Sequence, residues 1–218
     1  MALEQTDIGA IRTAYKMGQL SESEIDPDPI LQFRNWFNEA LERRVMEPNA
    51  MTLATVSAEG HPSARIVLLK DLDDDAGFGF FTNYGSQKGL ELNSNPSAAL
   101  LFFWPELQRQ VRVNGKVTKM PEAQSEAYFQ SRPTGSQLGA IASPQSREIA
   151  DRSVLESWLA ELERRYAGGT PIPRPLHWGG YRLRPDVMEF WQGGDNRLHD
   201  RLRYSREHTG WKIVRLAP

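Results

Sequence analysis

The sequence predicts an α+β fold that is mainly β, built as an antiparallel barrel with peripheral helices. Two patterns lead to this class. Short segments that are apolar, or that alternate between apolar and polar residues, recur from residue 51 to the C-terminus with turn-forming residues between them. Segments with apolar residues at helical spacing are inserted between these strands one at a time. Many short strands with inserted helices are typical of an antiparallel barrel.

The helices are predicted from the spacing of apolar residues. Apolar side chains at helical intervals predict amphipathic helices over Ile30–Arg44 and Leu155–Tyr166. Pro121 stands at the start of another, Glu122–Phe129, where a proline is tolerated because the first turn needs no N–H donor. A short helix is predicted over Gly85–Asn93.

β-branched and aromatic residues mark the strands. The segment Ala98–Trp104 is apolar without alternation, which predicts burial on both faces, either in the barrel wall or at a subunit contact. The acidic loop Asp71–Asp75 is interpreted as a solvated hairpin tip, because nothing near it supplies spaced ligands for a metal ion. The strands are predicted at Met51–Val56, Ala64–Lys70, Phe78–Thr82, Ala98–Trp104, Arg109–Met120, Tyr181–Arg184, Val187–Gln192, Leu202–Ser205 and Trp211–Leu216.

Composition bounds the function classes. The 218 residues carry a net charge of −2 and no cysteine. Disulfides, thiolate metal sites and a cysteine nucleophile are therefore excluded, and no basic field attracts nucleic acid or membrane. The N-terminus lacks the features of a signal peptide, and the longest apolar run is too short to span a bilayer. We expect a cytoplasmic protein with a mobile polar arm at residues 1–28 and a single domain at 29–218.

Several familiar catalytic signatures are absent from the sequence. No Gly-x-Gly-x-x-Gly motif follows a strand, and there is no Walker A lysine motif. The four histidines lack the spacing of metal ligands, and no serine lies in a nucleophile elbow. The sequence predicts no metal site.

The segment Arg65-Ile-Val-Leu-Leu-Lys70 is the strongest local signal. Its four aliphatic residues predict a strand buried on both faces, with a cation at each end. On a regular strand, Arg65 and Lys70 would point to opposite faces because they are an odd number of positions apart. Buried cations are costly unless each meets an anion; the alternative is two cations that extend into solvent from the strand ends.

Other cations lie near strand and helix ends. Lys88 belongs to the short helix that follows Thr82, Asn83 and Ser86, and free N–H groups at a helix start favour an anion. Guanidinium and ammonium groups beside hydroxyls suit a phosphate dianion. Six such cations are more than one phosphate needs, so they predict two bound phosphates. The six are Arg65, Lys70, Lys88, Arg132, Arg197 and Arg201.

Five motifs together resemble one family. They are Arg65-Ile-Val-Leu-Leu-Lys70, Ser131-Arg-Pro133 with Ser136-Gln-Leu-Gly-Ala, Phe190-Trp-Gln-Gly-Gly, Arg197-Leu-His-Asp-Arg201 and Arg215-Leu-Ala-Pro218. From about Arg12 to Pro218, the chain closely resembles the pyridoxamine/pyridoxine 5′-phosphate oxidases, which are FMN-binding split-barrel flavoproteins. The resemblance implies that the antiparallel barrel is a split barrel and that residues 29–218 form an FMN-binding domain.

The resemblance implies a specific FMN site. Arg65, Thr82 and Lys88 would hold the flavin phosphate, which agrees with the argument from the helix start. Gln110 and Trp191 would lie against the flavin ring system. The full set implied is Arg65, Ile66, Val67, Leu68, Leu69, Lys70, Phe81, Thr82, Lys88, Gln110, Gln145, Ser146, Trp191 and Arg201.

The resemblance also implies a site for pyridoxine 5′-phosphate or pyridoxamine 5′-phosphate. One group of residues would surround the substrate phosphate, and two residues of the N-terminal arm would close over the substrate as a lid that excludes water. The phosphate group is Lys70, Tyr128, Arg132 and Ser136, and the arm residues are Arg12 and Tyr15.

Arg197 and His199 are the catalytic residues that the resemblance implies. They would share a strand face, because they are two positions apart, and would flank the substrate pyridine ring. The implied reaction is hydride transfer from C4′ to FMN, reoxidation by O2 with release of H2O2, and formation of pyridoxal 5′-phosphate. Arg197 would orient the substrate and stabilise developing negative charge, and His199 would help to place it.

One position departs from the family pattern. The family often has a second cation immediately before the lysine that matches Lys88, and this chain has Gln87 there. An amide can still donate a hydrogen bond, but one positive charge is lost. We therefore expect somewhat weaker FMN binding than with a cation at this position.

Assembly and alternative functions follow from the same resemblance. A homodimer with FMN at the subunit interface is implied. A split-barrel flavoenzyme acting on another substrate, such as a phenazine-pathway oxidase or a flavin reductase, would not need the substrate-phosphate and catalytic residues together. A non-catalytic module that stores flavin or binds nucleic acid is disfavoured, because the basic residues are scattered singly and form no patch with stacking aromatics.

Overall fold

The computed structural model describes Tyr15 and residues 17–218, which divide into two compact units. Unit 1 comprises the described residues up to Pro48 together with Phe103–Arg112 and Val187–Pro218. Unit 2 comprises Asn49–Phe102 and Val113–Asp186. The lid residue Arg12 lies outside the described residues, and the predicted division into an arm and a single domain stays a prediction.

The described residues form five α-helices and nine strands, and the predicted α+β class with mainly antiparallel β structure is confirmed. None of these helices is long and apolar enough to cross a membrane. The helices are α1 (Pro29–Glu42), α2 (Gln87–Ser94), α3 (Glu122–Ser131), α4 (Thr134–Ala142) and α5 (Arg152–Arg165). The strands are β1 (Ala50–Val56), β2 (Pro62–Leu68), β3 (Asp71–Asp73), β4 (Gly77–Asn83), β5 (Ser97–Trp104), β6 (Arg109–Lys119), β7 (Trp178–Gln192), β8 (Asp200–Glu207) and β9 (Gly210–Arg215).

The strand order is β2-β1-β5-β6-β7-β4-β3, with β8 paired to β7 and β9 paired to β8. In unit 2, β1 pairs antiparallel with β2 and β5, and β4 pairs antiparallel with β3 and the first part of β7. In unit 1, the last part of β7, β8 and β9 form consecutive antiparallel pairs.

Unit 2 has its core on one face of its strands. Leu53 on β1, Phe78 and Phe80 on β4, Phe102 on β5 and Leu183 on β7 are fully buried. Burial of a side chain of this size contributes about 1.5–3 kcal/mol, so these residues determine which face of each strand points inward.

Unit 1 is organised around α1. Asp28 caps this helix, because its carboxylate accepts hydrogen bonds from the N–H groups of Ile30 and Leu31, and Pro29 occupies the first turn. Trp36 packs edge to face against Phe190 of β7, with 5.2 Å between the ring centroids. The predicted helix is confirmed, and its apolar stripe forms the contact expected of it.

Strand β7 is one element, where the sequence predicted two strands, Tyr181–Arg184 and Val187–Gln192. The backbone continues through Pro185, which has no N–H group. The described pairing with β4 ends at Leu183 and the pairing with β8 begins at Val187, so the proline falls between two registers. A proline between registers costs neither of these ladders a hydrogen bond.

Two elements were missed by the sequence prediction. Residues Asp71–Asp73 form the short strand β3, so only the end of the predicted acidic loop is a turn. Helix α4 contains two glycines, which weaken its local signal. The buried amide of Gln137 donates hydrogen bonds to the carbonyl oxygens of Phe129 and Arg132, at 3.0 and 3.1 Å, and this ties α4 to the end of α3.

One burial prediction was wrong, and one alternative of a second is excluded. Strand β2 is not buried on both faces of the chain, because Ile66 is 65% exposed and Leu68 is 37% exposed. Strand β5 is not buried on both faces in the barrel wall, since Leu100 and Phe102 are buried and Phe103 is 53% exposed; its burial at a subunit contact stays a prediction. Apolar composition alone does not show whether the second face of a strand is covered.

We predict that Gly115→Ala destabilises the protein by about 1–3 kcal/mol through overpacking. A Cβ atom at Gly115 would lie 2.0 Å from the carbonyl oxygen of Arg184, which is backbone and cannot turn aside. The measurement is the urea midpoint of unfolding. Gly135→Ala on α4 is the matched control, because a Cβ there meets nothing within 4 Å. Equal midpoints for wild type and Gly115→Ala would contradict the close approach.

Candidate functional site

Unit 2 contains a cavity of about 700 Å³, a volume typical of cofactor and ligand sites. Its wall is formed by β2, the end of β4, α2, α3, α4, the loop after α4 and the start of β7. Both Lys88 and Arg132 line it. Of the predicted site residues, those that line the cavity are Arg65, Ile66, Val67, Leu68, Lys70, Phe81, Thr82, Lys88, Tyr128, Arg132, Ser136 and Gln145.

Lys88, Thr82 and Arg65 form the first cationic cluster of the cavity wall. Lys88 is buried, and its Nζ lies 3.4 Å from Oγ1 of Thr82 and 3.5 Å from Oγ of Ser86. Ser86 is the N-cap of α2, where its Oγ accepts a hydrogen bond from the N–H of Gly89. Burial, and then the positive charge of Arg65, lower the pKa of Lys88. A bound anion would offset both effects.

Glu91 of α2 holds Arg65 in place. Nη2 of Arg65 lies 3.2 Å from Oε2 of Glu91 and donates to Oγ of Ser63 at 2.6 Å, and Nη1 donates to Oγ1 of Thr55. The Glu91 carboxylate also accepts hydrogen bonds from Thr55, Ser63 and Gln87. Two strands and a helix therefore converge on one buried carboxylate, and the guanidinium of Arg65 is fixed against the cavity wall.

The same contacts determine the charge of Glu91. Burial opposes its ionised form, but hydrogen bonds from Thr55, Ser63, Gln87 and Arg65 outweigh burial and lower its pKa to about 2. Glu91 is therefore an anion at neutral pH and offsets part of the positive charge of Arg65 and Lys88. The net charge of this cluster remains positive, as an anion site requires.

Arg132 and three aromatic rings form a second cluster in the cavity. The rings of Phe81 and Tyr128 are stacked at 3.9 Å, and both are nearly parallel to the ring of Trp178. The guanidinium carbon of Arg132 lies 4.6 Å from the centroid of Trp178. Nη1 of Arg132 is buried and has no hydrogen-bond partner among the residues that the structure describes. A buried donor without a partner is costly, so it marks a place for an acceptor.

Lys70 lines the same cavity as Arg65, and the prediction that they point to opposite faces was wrong. The strand ends at Leu68, so alternation does not extend to Lys70. The N–H of Leu69 donates to the carbonyl oxygen of Asn49, while the N–H of Lys70 donates to that of Gly79. Leu69 is buried and does not line the cavity, although it belongs to the predicted FMN set.

Gln145 and Ser146 lie in the loop after α4. Oε1 of Gln145 accepts a hydrogen bond from Oγ1 of Thr82 at 3.3 Å, which connects the loop to the first cationic cluster. Ser146 does not line the cavity and has a φ of 71°. Non-glycine residues with positive φ are uncommon, so the loop has an unusual local conformation here.

In unit 1, three predicted site residues pack together. The ring of Tyr15 meets Trp191 and His199 edge on, at 5.7 and 5.5 Å, and Trp191 lies 4.8 Å from His199. The N–H of Gly194 donates to Nδ1 of His199 at 3.1 Å. Nδ1 is therefore an acceptor, and the ring proton of the neutral imidazole is on Nε2. His199 presents a donor at Nε2.

The sequence predicted that Arg197 and His199 share a strand face, and this prediction was wrong. Asp195–Arg197 is a 3₁₀ turn, β8 begins only at Asp200, and Arg197 is exposed with a φ of 65°. This conformation comes from a turn that the Gly-Gly-Asp-Asn sequence favours. The turn removes the period of two on which the prediction depended.

The remaining predicted residues of unit 1 are held by ion pairs or lie on β6. Arg201 of β8 donates to Oε1 of Glu189 at 2.9 Å, and its Nη1 donates to the carbonyl oxygen of Ala217. Gln110 is half-buried on β6. The roles predicted for these residues stay predictions.

Sequence reasoning missed two residues of functional interest. Trp178 lines the cavity and faces Arg132. From sequence alone, a single tryptophan at the start of a strand is predicted to be a core residue. Glu91 reads as a surface carboxylate of a short helix, because its partners lie 26 to 36 residues away in sequence, apart from Gln87. The other cavity residues missed are Gly139, Ala140 and Ser143.

Gln87 does not line the cavity. It is exposed, and its amide donates to Oε1 of Glu91 at 2.9 Å. A cation at this position would therefore meet Glu91 before any ligand. The expected weakening of FMN binding by Gln87 stays a prediction.

We predict that Glu91 makes folding sensitive to acid. Its pKa is lowered to about 2 from an ordinary value of 4.5, so its contribution to stability is present above pH 4.5 and is lost as the pH falls toward 2. The free energy of unfolding should fall over this window more steeply in wild type than in Glu91→Gln. Glu156→Gln, on an exposed part of α5, is the control and should follow wild type. Parallel wild-type and Glu91→Gln profiles would contradict the prediction.

Comparisons with known proteins give the family. Residues 37–165 match the family model described as pyridoxamine 5′-phosphate oxidase. Residues 178–218 match the model described as the pyridoxine 5′-phosphate oxidase C-terminal dimerisation region. The first match covers more than half of the chain, and the second contains Trp178, Trp191, Arg197 and His199.

Full-length relatives agree with these matches. The chain is 60% identical over 214 residues to pyridoxine/pyridoxamine 5′-phosphate oxidase 1 of Ralstonia nicotianae, covering 98% of this chain and 100% of the relative. It is 56% identical to pyridoxine/pyridoxamine 5′-phosphate oxidase of Cupriavidus metallidurans, with the same coverage.

Solved structures agree as well. The structure of PhzG from Burkholderia lata, in complex with tetrahydrophenazine-1-carboxylic acid, matches with a TM-score of 0.87 and 33% identity, covering 94% of this chain and 100% of that one. A pyridoxamine 5′-phosphate oxidase-related, FMN-binding protein from Nostoc punctiforme matches with a TM-score of 0.69 at 19% identity, covering 85% and 97%. The predicted split barrel is confirmed. The chain belongs to the pyridoxamine 5′-phosphate oxidase family.

Proposed function

We propose that the protein is an FMN-dependent oxidase that converts pyridoxine 5′-phosphate and pyridoxamine 5′-phosphate to pyridoxal 5′-phosphate, with O2 as the electron acceptor. The amine substrate would also consume one water and release ammonia. One observation carries the proposal: two separate cationic clusters, around Lys88 and Arg132, line the same cavity. A cofactor and a substrate that each carry a phosphate would account for both clusters. The cytoplasmic location expected from the sequence is part of the same proposal.

The Lys88 cluster suits the flavin phosphate. It combines a buried ammonium, the Thr82 hydroxyl and the fixed guanidinium of Arg65. Burial, and then the positive charge of Arg65, lower the pKa of Lys88. A bound phosphate dianion would offset both effects and stabilise the charged ammonium. Bound FMN would supply the redox chemistry by taking up a hydride equivalent from C4′ and passing the electrons to O2, with release of H2O2.

The Arg132 cluster suits the substrate phosphate. Its buried Nη1 lacks an acceptor among the described residues, and Tyr128, Ser136 and Lys70 line the same cavity. Phosphate oxygens would supply the acceptor, and the flanking hydroxyls and ammonium would complete the shell. Binding the substrate by its phosphate leaves its pyridine ring free to be oriented by other residues.

Arg197 and His199 would act on the pyridine ring. Arg197 is an exposed cation on a turn, and we propose that it stabilises developing negative charge at the reacting oxygen or nitrogen. His199 would donate a hydrogen bond from Nε2, because Nδ1 already accepts one from Gly194. This assignment makes His199 a positioning donor for the substrate and gives it no role as a base. Tyr15 packs on His199 and would exclude water from it.

We further propose a homodimer with FMN at the subunit interface. The match to a C-terminal dimerisation region over residues 178–218 supports the homodimer. That region contains proposed site residues of both units: Trp178, which lines the cavity of unit 2, and Trp191 and His199 of unit 1. Gln110, Trp191 and Arg201 would contact the flavin.

A phenazine-type oxidase is the second candidate, because the Burkholderia lata protein shares the fold at 33% identity. The Arg132 cluster argues against it, since tetrahydrophenazine-1-carboxylic acid has no phosphate to fill a second phosphate site. The identity of 56–60% to the pyridoxine/pyridoxamine phosphate oxidases favours the first candidate.

Anaerobic mixing of the purified protein with pyridoxine 5′-phosphate tests the function. We expect a yellow protein whose flavin absorbance is lost on mixing and returns when O2 is admitted, with stoichiometric H2O2 and pyridoxal 5′-phosphate. Unphosphorylated pyridoxine is the control and should react far more slowly. A colourless protein, or a flavin that the phosphate ester does not reduce, would contradict the proposal.

We predict that Arg197→Ala lowers kcat by more than tenfold while the FMN content is unchanged. Arg197 would act on the reacting group, so its loss would reduce stabilisation of the transition state and leave the cofactor cations untouched. The measurement is steady-state oxidation with parallel determination of bound flavin. Arg203→Ala, on an exposed position of β8, is the matched control. Near-normal turnover of Arg197→Ala would remove the assigned role.

A further inference from the structure

Trp178 is a fixed part of the cavity wall. It is the first residue of β7 and is 6% exposed. Its N–H donates to the carbonyl oxygen of Pro175 at 2.9 Å, and its own carbonyl oxygen accepts from Nη1 of Arg174 at 2.6 Å. Its ring is nearly parallel to that of Phe81, at 5.5 Å, and meets that of Phe129 edge on, at 5.3 Å. Both its backbone and its ring are held in one orientation.

The two arginines of the cavity are held in different ways. The terminal nitrogens of Arg65 already donate hydrogen bonds within the protein, to oxygen atoms of Leu53, Thr55, Ser63 and Glu91. Its contribution to a ligand is therefore mainly its charge. Arg132 is held by aromatic faces instead, 4.6 Å from Trp178 and 5.8 Å from Phe129. A ring face attracts a guanidinium without accepting its N–H groups in the plane, so those donors stay available.

The backbone of Arg132 is also fixed. Its N–H donates to the carbonyl oxygen of Phe129, and its carbonyl oxygen accepts from Nε2 of Gln137 at 3.1 Å. The direction of the guanidinium then depends on its side-chain contacts. Within the described residues its Nη1 is buried without a hydrogen-bond partner, and the ring of Trp178 is the nearest aromatic face.

We infer that Trp178 is a positioning residue for the substrate phosphate: it supports the guanidinium of Arg132 from one face and leaves its donors free for phosphate oxygens. The inference rests on the proposed function and adds a residue to it. Trp178 does not contact the reacting atoms in this role and acts through Arg132. Its loss should affect binding of the phosphate and leave the chemical step unchanged.

The test compares Trp178→Leu and Trp178→Phe in the flavin-loaded protein. For Trp178→Leu, we expect KM for pyridoxine 5′-phosphate to rise about tenfold, with kcat and FMN content within twofold of wild type. Trp178→Phe should recover most of the loss, because a phenyl face can still carry a guanidinium. Trp158→Leu, on the exposed part of α5, is the matched control and should behave as wild type.

A double-mutant cycle separates positioning from a general structural effect. If Trp178 acts through Arg132, Trp178→Leu should raise KM no further in an Arg132→Ala background. Additive effects on KM, a fall in kcat without a rise in KM, or loss of FMN would each overturn the inference. If Trp178→Leu does not fold, Trp178→Met, which also removes the aromatic face, supplies the same cycle with Arg132→Ala.

Calorimetric titration with inorganic phosphate distinguishes this inference from the proposed function. The flavin-loaded protein should bind phosphate, and Trp178→Leu and Arg132→Ala should weaken that binding to a similar extent. If both variants weaken phosphate binding but the wild-type protein does not oxidise pyridoxine 5′-phosphate, the proposed function is refuted and the role of Trp178 in positioning Arg132 still stands. Unchanged phosphate binding in Trp178→Leu would overturn the inference, whatever the substrate proves to be.

Discussion

A single buried carboxylate balances the charge of the cavity. Arg65 and Lys88 are both positive and share one wall, and each makes the other less favourable. Glu91 lies behind them and accepts hydrogen bonds from β1, β2 and α2. Without it, Arg65 would be a poorly compensated cation, and three elements would lose their common partner. The carboxylate of Glu91 reduces the repulsion between the two cations, and the cluster still keeps the net positive charge that attracts an anion.

The molecule holds its cations by two kinds of contact, and the difference matters for recognition. An ion pair, as at Arg65, gives a fixed charge whose donors are already occupied. An aromatic face, as at Arg132, gives a fixed direction with donors unoccupied. The first suits a long-lived cofactor that needs an electrostatic environment, and the second suits a substrate that must be recognised and then released.

Local sequence patterns predicted most of the helices and strands, because apolar spacing and turn residues act within a few positions. The residues of the cavity could be named through family motifs, since Arg65 to Lys70 and Ser131 to Ser136 keep their spacing. Three features could not be predicted in this way. Glu91 acquires its role from partners that are distant in sequence. The turn at Arg197 depends on a positive φ that period-two reasoning does not consider. The exposure of Ile66 depends on what covers the second face of β2.

The glycine pair before the turn at Arg197 has a consequence for engineering. A Cβ atom at Gly193 would lie 2.8 to 2.9 Å from the ring and Cβ of Tyr15. Replacing a loop glycine with alanine is a common route to a stiffer chain with a less entropic unfolded state. Here the added methyl would compete with a tyrosine for the same volume, so any gain in rigidity would come at the expense of the aromatic cover over His199. Position 193 therefore has to remain glycine for Tyr15 to pack against this loop.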